Sequence, residues 1–292
     1  MPRMPRSRLL PLLLLAACGT GRTSQWDVKT PAPAAPAAAG ESPAAAAEAA
    51  WAQRGDRAQL EKAIAQWEAA LAQKPDDVAI LGHLSRAYYL LADGFLRKPE
   101  DKKAYLANMN KGTGYGERGV AAASPAFKAK VKDGEKVEEA IKLVGREGIE
   151  PMYWYVVNLG KWARAEGLAA LLGNKDRAKG VMTRVLELDE TFFHGAPHRY
   201  FGAYWSLLPV GRDLDKSKQH FDKSLAIAPN YAGTKVLMAE TYAVKKQDRA
   251  LFDKLLGEVL AMPDDAMPGL EPEVRIEKDK ARELQAKANE LF

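Results

Sequence analysis

Four histidines, a single cysteine and one glycine-rich run are the residues of this chain whose types and spacing invite chemistry. His194 and His198 are four apart, the spacing that places two metal ligands on one helix face. Pro197 lies between them, Gly195 precedes it, and no HExxH acid accompanies them, so no metal site is expected. His83 and His220 stand alone. The run Gly112-Thr113-Gly114-Tyr115-Gly116 resembles a phosphate loop only in its glycines: it lacks the Lys-Ser/Thr that meets a phosphate, and no strand pattern precedes it. It reads as a turn. No GxSxG motif, paired carboxylates or cysteine nucleophile suggests catalysis, and neither an enzyme nor a cofactor is expected. The chemistry that Cys18 does suggest is acylation. It follows Leu15-Ala16-Ala17 at the end of a short apolar run opened by Arg3, Arg6 and Arg8, the pattern of a cleaved lipoprotein signal. That run is too short to span a bilayer.

Residues 1–17 are therefore expected to be a signal peptide and Cys18 the lipid-modified N-terminus of the mature chain. Gly19, rather than Asp, after the cysteine resembles the arrangement that sends enterobacterial lipoproteins to the outer membrane, facing the periplasm. Residues 18–45 are rich in Ala, Pro, Ser and Thr and read as a tether with an end-to-end reach of roughly 25–40 Å. The globular part is expected over 46–292. Of the formal net charge of +5, three charges belong to the signal arginines, leaving +2 on the mature chain. Without a basic stripe on the folded part, nucleic acid is excluded as a partner.

Ala, Leu, Lys and Glu dominate that part, so its regular structure should be helical. Ala63, Trp67, Ala70 and Pro75 have the 4, 3, 5 spacing of the small, aromatic, small and proline positions in the second helix of a tetratricopeptide unit. Ser217, Phe221, Ser224 and Pro229 repeat it, and Pro229 and Pro263 are 34 residues apart, one unit length. Leu81, Leu84, Ser85 and Tyr88 match a first helix. A degenerate unit has Ala178, Met182 and Val185 on its second helix, with its first helix running from Pro151 to Leu172 and closed by Gly173-Asn174. Residues 93–144 read as a helix pair loosened by Gly112, Gly114 and Gly116. The expected architecture is all-α: a stack of about four degenerate helix pairs closed by a polar C-terminal helix from Glu273 to Leu291.

A more specific likeness starts at Met152-Tyr153-Trp154-Tyr155-Val156-Val157-Asn158-Leu159-Gly160-Lys161-Trp162. It continues through Leu188-Asp189-Glu190-Thr191-Phe192-Phe193-His194-Gly195-Ala196-Pro197-His198-Arg199-Tyr200-Phe201-Gly202 and the segments around Phe221, Tyr242 and Leu256. Over roughly residues 60 to 290 the chain resembles the T component of TRAP transporters, a family of tetratricopeptide lipoproteins. The resemblance implies an accessory role without chemistry: binding a small organic ligand, hydrophobic or carboxylate, and the TRAP solute-binding subunit, in a protein that is often a homotrimer with a pore or cleft through each protomer. The alternative is a repeat scaffold lipoprotein gripping peptide segments in cell-envelope assembly, which calls for an open groove rather than a closed tunnel.

Aromatic density marks the candidate ligand residues. Tyr153, Trp154, Tyr155 and Trp162 fall on one first helix, and Tyr200, Phe201, Tyr204 and Trp205 on the next, which a repeat stack sets side by side. Any one of them taken alone would more readily fill the inter-helix core than line a cavity. Asn158 and Arg199 are the polar anchors among them, and a guanidinium can meet a carboxylate bidentately. The site expected from sequence is thus Tyr153, Trp154, Asn158, Trp162, Arg199 and Trp205. Trp154 and Asn158 should share a helix face, as should Phe201 and Trp205.

Overall fold

A computed structural model describes residues 22–29, 31–34 and 42–292. Cys18, the signal sequence and most of the Ala/Pro segment lie outside the described residues. All regular structure among the described residues is helical. The helices pair as hairpins: α1 (Pro43–Trp51) with α2 (Arg57–Gln73), α3 (Val78–Phe95) with α4 (Lys102–Ala123), and, after the short α5 (Pro125–Lys132) and α6 (Val137–Ala140), α7 (Ile149–Glu166) with α8 (Leu168–Leu188). Then α9 (Phe192–Leu207) pairs with α10 (Leu214–Ile227). A fifth pair joins α11 (Ala232–Met238), which runs on through a π turn into α12 (Val244–Lys246), to α13 (Arg249–Ala261). Two C-terminal helices follow, α14 (Glu271–Ala286) and α15 (Ala288–Leu291).

The repeat registers hold the pairs together. Trp67 of α2 is buried between the rings of Trp51 and His83, with centroids 5.4 and 5.2 Å away. Phe221 of α10 is fully buried where Gly202 of α9 leaves room, since a Cβ there would come within 2.7 Å of its ring. The helices start on side-chain caps: Asp56, Asp77, Asp213 and Asp248 each accept a backbone N–H two residues into their helix's first turn.

Four expectations are corrected. The glycines of residues 112–116 lie inside the unbroken helix α4, not in a turn. They let α7 approach: Asn158 sits over Gly112 and the Tyr155 backbone over Gly116, with Pro151 over Gly119 one turn on. The helix begun near Pro151 ends at Glu166, because Gly167 takes φ 128° and turns the chain there, while Gly173 and Asn174 sit within α8. The tether expected over 18–45 is docked where it is described. Trp26 is 4% exposed and packs edge-on against Phe127 and Tyr155, and Arg22 pairs bidentately, at 2.8 and 2.5 Å, with a fully buried Glu117. Finally, α14 does not cap one end of the stack. It packs on α11 and α13 and reaches back to the first two hairpins, where Glu273 binds Arg54 and Arg86, Lys280 binds Asp93, and Glu283 binds Arg97. Its polar composition is that of a seam closing the curved stack on itself.

Candidate ligand cavity

Between the repeats lies a cavity of about 300 Å³, partly open to solvent, lined by α3, α7, α8, α9, α11 and α14. Helix α7 divides its faces between core and cavity. Pro151, Tyr155, Asn158 and Trp162, spaced 4, 3 and 4, form one buried stripe whose first three members meet the glycines of α4, while Tyr153, Val157, Gly160, Lys161 and Arg164 border the cavity. From α9 come Arg199, Tyr200, Ala203, Tyr204 and Leu207.

Of the six residues singled out from sequence, the structure brings Tyr153, Trp154 and Arg199 together on the cavity wall. The other three lie elsewhere. The amide of Asn158 is fully buried against Gly112 and donates to the carbonyls of Ser85 (3.0 Å) and Trp154 (2.8 Å), so it locks α7 onto α3 and α4. Trp162 continues that buried stripe. Trp205 faces away, with Lys216 and Lys179 over its ring at 4.7 and 5.6 Å. Phe201 also leaves the cavity wall and stacks on His220.

Arg199 is the polar centre. Its guanidinium is buried and donates to Tyr153 Oη (3.2 Å), the His194 carbonyl (3.3 Å), Thr234 Oγ1 (3.4 Å) and the Phe193 carbonyl (3.5 Å), with Tyr231 beneath it at 4.3 Å. The two carbonyls are aimed there by an unusual backbone. Phe193, His194 and Gly195 take consecutive left-handed conformations (φ 40°, 62° and 70°), costly for the first two because their Cβ atoms crowd the next carbonyl. Stacking of His194 on Tyr231, 5.1 Å between centroids, helps hold the turn. Burial, then the charge of Arg199 and Arg86, depresses the His194 pKa.

A second polar cluster borders the cavity at the seam. Asp93 is buried and receives Lys161 (2.8 Å), Lys280 and the Tyr89 hydroxyl (3.0 Å), and Lys280 also meets Glu277 at 2.6 Å. Burial would raise the Asp93 pKa, but the two ammonium groups outweigh it and hold the carboxyl far below its usual range. Sequence reasoning missed this cluster and Tyr89, Tyr231, Leu171 and Leu172 of the lining. Their only local signal is apolar or aromatic character at helical spacing, which core residues share.

The histidines do not converge as Nδ1/Nε2 ligands around one point. His198 Nδ1 lies 2.9 Å from His220 Nδ1, and its Nε2 lies 3.1 Å from Glu190, at the α9–α10 interface, whereas His194 sits on Tyr231. Among the described residues no group of three or more His, Cys, Asp or Glu is placed to hold a metal ion. No described helix is long and apolar enough to cross a membrane.

The described helices thus surround a largely apolar cavity in which Lys161 and Lys280 are paired with Asp93 and Arg199 has no carboxylate partner among the described residues. The family model for the TRAP transporter T-component matches residues 57–292, and the chain belongs to that family, a component of a TRAP transport system. None of the curated proteins compared matches the chain.

Proposed function

We propose that this T-component is a lipid-anchored accessory of its TRAP system that holds a small, largely apolar organic ligand in the cavity between α7, α9 and α14 and works with the solute-binding subunit. The observation that supports this reading is the cavity itself: largely apolar, bordered by α14, and carrying Tyr153, Trp154 and Arg199 on its wall. A scaffold that grips peptide segments calls instead for an open concave groove, whereas here α14 is tied by ion pairs to α3 and to the turn between α1 and α2.

In this reading the chain is acylated at Cys18, sits in the outer membrane facing the periplasm, and assembles as a homotrimer. Arg22 is docked only four residues beyond Cys18. Four extended residues reach about 14 Å, so the anchored domain would stand close to the lipid surface rather than on a long tether. Cross-linking in intact cells followed by capture of the chain should recover a TRAP-type solute-binding subunit in the wild type, and Cys18→Ser should release the chain from membranes. Recovery of envelope-assembly proteins without a solute-binding subunit would favour the scaffold.

A further inference from the structure

We infer that the cavity selects an amphiphile with a single anionic head, the head seated on Arg199 and the apolar tail running toward Leu171, Leu172 and Leu207. The inference rests on the reading of this cavity as the ligand site and adds the chemical class of the ligand.

Arg199 is buried with no charged partner among the described residues. A buried guanidinium is costly to hold unless its charge is met, and charge-assisted bonds to an anion run at about 2.7–2.9 Å. Here every acceptor is a neutral hydroxyl or carbonyl, at 3.2 to 3.5 Å, and the remaining support is the face of Tyr231. Among the described residues no carboxylate is paired with it. Burial works against its charged form, and the surrounding tyrosines, Tyr153 foremost, offset that. A side chain that is charged, buried, open to the cavity and without a counter-ion is a receptor for an anion.

The other cations along the wall are already neutralised: Lys161 and Lys280 share Asp93, Lys280 also holds Glu277, and Arg164 meets Glu240 at 3.2 Å. Lys175, half-exposed beside Asp176, belongs to the rim. A short dicarboxylate on Arg199 would therefore leave its second charge among apolar and aromatic side chains, which disfavours it. Leu172 is 47% exposed and lines the cavity together with Leu171, Leu207 and Pro209, an apolar rim that water alone does not explain.

The test uses the delipidated mature chain at pH 7.5 and reads tryptophan fluorescence, to which Trp154 on the cavity wall contributes and whose ligand response Trp154→Phe should remove, with thermal melting as a second readout. The probes are decanoate, 1-decanol and succinate. Decanoate should bind on the order of ten- to a hundredfold more tightly than decanol, the factor a charge-assisted hydrogen bond supplies, and succinate should not compete with it. Arg199→Gln should bring decanoate down to the level of decanol, and Arg199→Lys should keep part of the preference. Should Arg199→Gln fail to fold, the decanoate-to-decanol ratio of the wild type decides. Equal binding of decanol and decanoate would overturn the anionic head while leaving the cavity a ligand site, and succinate binding as tightly as decanoate would overturn the single charge. Failure of all three probes to bind would overturn both this inference and the reading it rests on.

Discussion

Removing the Arg22 side chain should destabilise a domain whose first helix starts twenty-one residues later. Glu117, inside α4, has no exposed side-chain surface, and its carboxylate accepts Arg22 Nη1 (2.8 Å), Arg22 Nη2 (2.5 Å) and the Gln25 N–H (2.8 Å). Burial pushes this carboxyl above its usual range, and Arg22 and the Gln25 N–H pull it back. In Arg22→Ala the charge is left buried without its partner, which typically costs about 3–5 kcal/mol. Protonation limits the loss: neutralising a carboxyl of ordinary pKa near 4.5 at pH 7 costs about 3.4 kcal/mol, to which unmet hydrogen bonds add. A loss of about 3 kcal/mol in a domain of this size lowers Tm by roughly 6–12 °C. The variant's Glu117 has a folded pKa above its unfolded one, so the stability linked to its proton is fully present below about pH 4.5 and is lost as pH rises through the folded value. The deficit of Arg22→Ala should therefore shrink in mild acid. Adding Glu117→Gln should recover more than half of it at pH 7. Thermal unfolding by circular dichroism at pH 5 and pH 7 measures all three effects, and a Tm for Arg22→Ala within 1 °C of wild type at pH 7 would refute the docked N-terminal segment.

Gly116→Val should cost more than about 3 kcal/mol, because its Cβ would meet the Tyr155 backbone at 2.8 Å, while Gly160→Ala, which meets nothing within 4 Å, should gain about 0.5–1 kcal/mol by helix propensity; chemical denaturation distinguishes the two signs. Trp67→Ala and Phe221→Ala should each lose about 3–5 kcal/mol in the same assay, since both rings are buried between paired helices, and a loss under about 0.5 kcal/mol would contradict the repeat register. Burial, with His198 and Lys223 adding to it, pushes the His220 pKa down to about 4. The unfolded chain then binds the proton more readily, so stability should be flat above about pH 6.5 and fall toward pH 4, by on the order of 1–2 kcal/mol after screening at this half-buried site. His220→Gln should flatten that part of the pH–Tm curve.

The repeat was legible where it is written locally: the 4, 3, 5 spacings at Ala63 and Ser217 are properties of single helices, and both place their aromatic residue in the core. The glycines of α4 were misleading because glycine weakens an isolated helix, and only the distant partners Tyr155 and Asn158 show that close approach is what they serve. The docked N-terminal segment and the closure by α14 rest on ion pairs between residues 95 and 186 or more positions apart, and a charged residue in sequence gives no sign of its partner. Three of the six candidate site residues reached the cavity, and the aromatic pattern alone could not sort them. Trp154 and Asn158 are one turn apart as expected, but the Asn158 amide folds back to the Trp154 carbonyl and onto Gly112. Arg199 owes its position to Tyr153 of α7 and to Tyr231 and Thr234 at the start of α11, which lie in two other repeats.

The measurement that tests the central claim most directly is a crystal structure of the mature chain equilibrated with a bromine-tagged fatty acid such as 12-bromododecanoate, with the bromine located by anomalous scattering. The account predicts bromine density on the path from the cavity to the Leu171–Leu172 rim and the carboxylate within hydrogen-bond distance of the Arg199 guanidinium. Bromine bound only outside the ring, with water filling the space between Tyr153, Trp154 and Arg199, would contradict it.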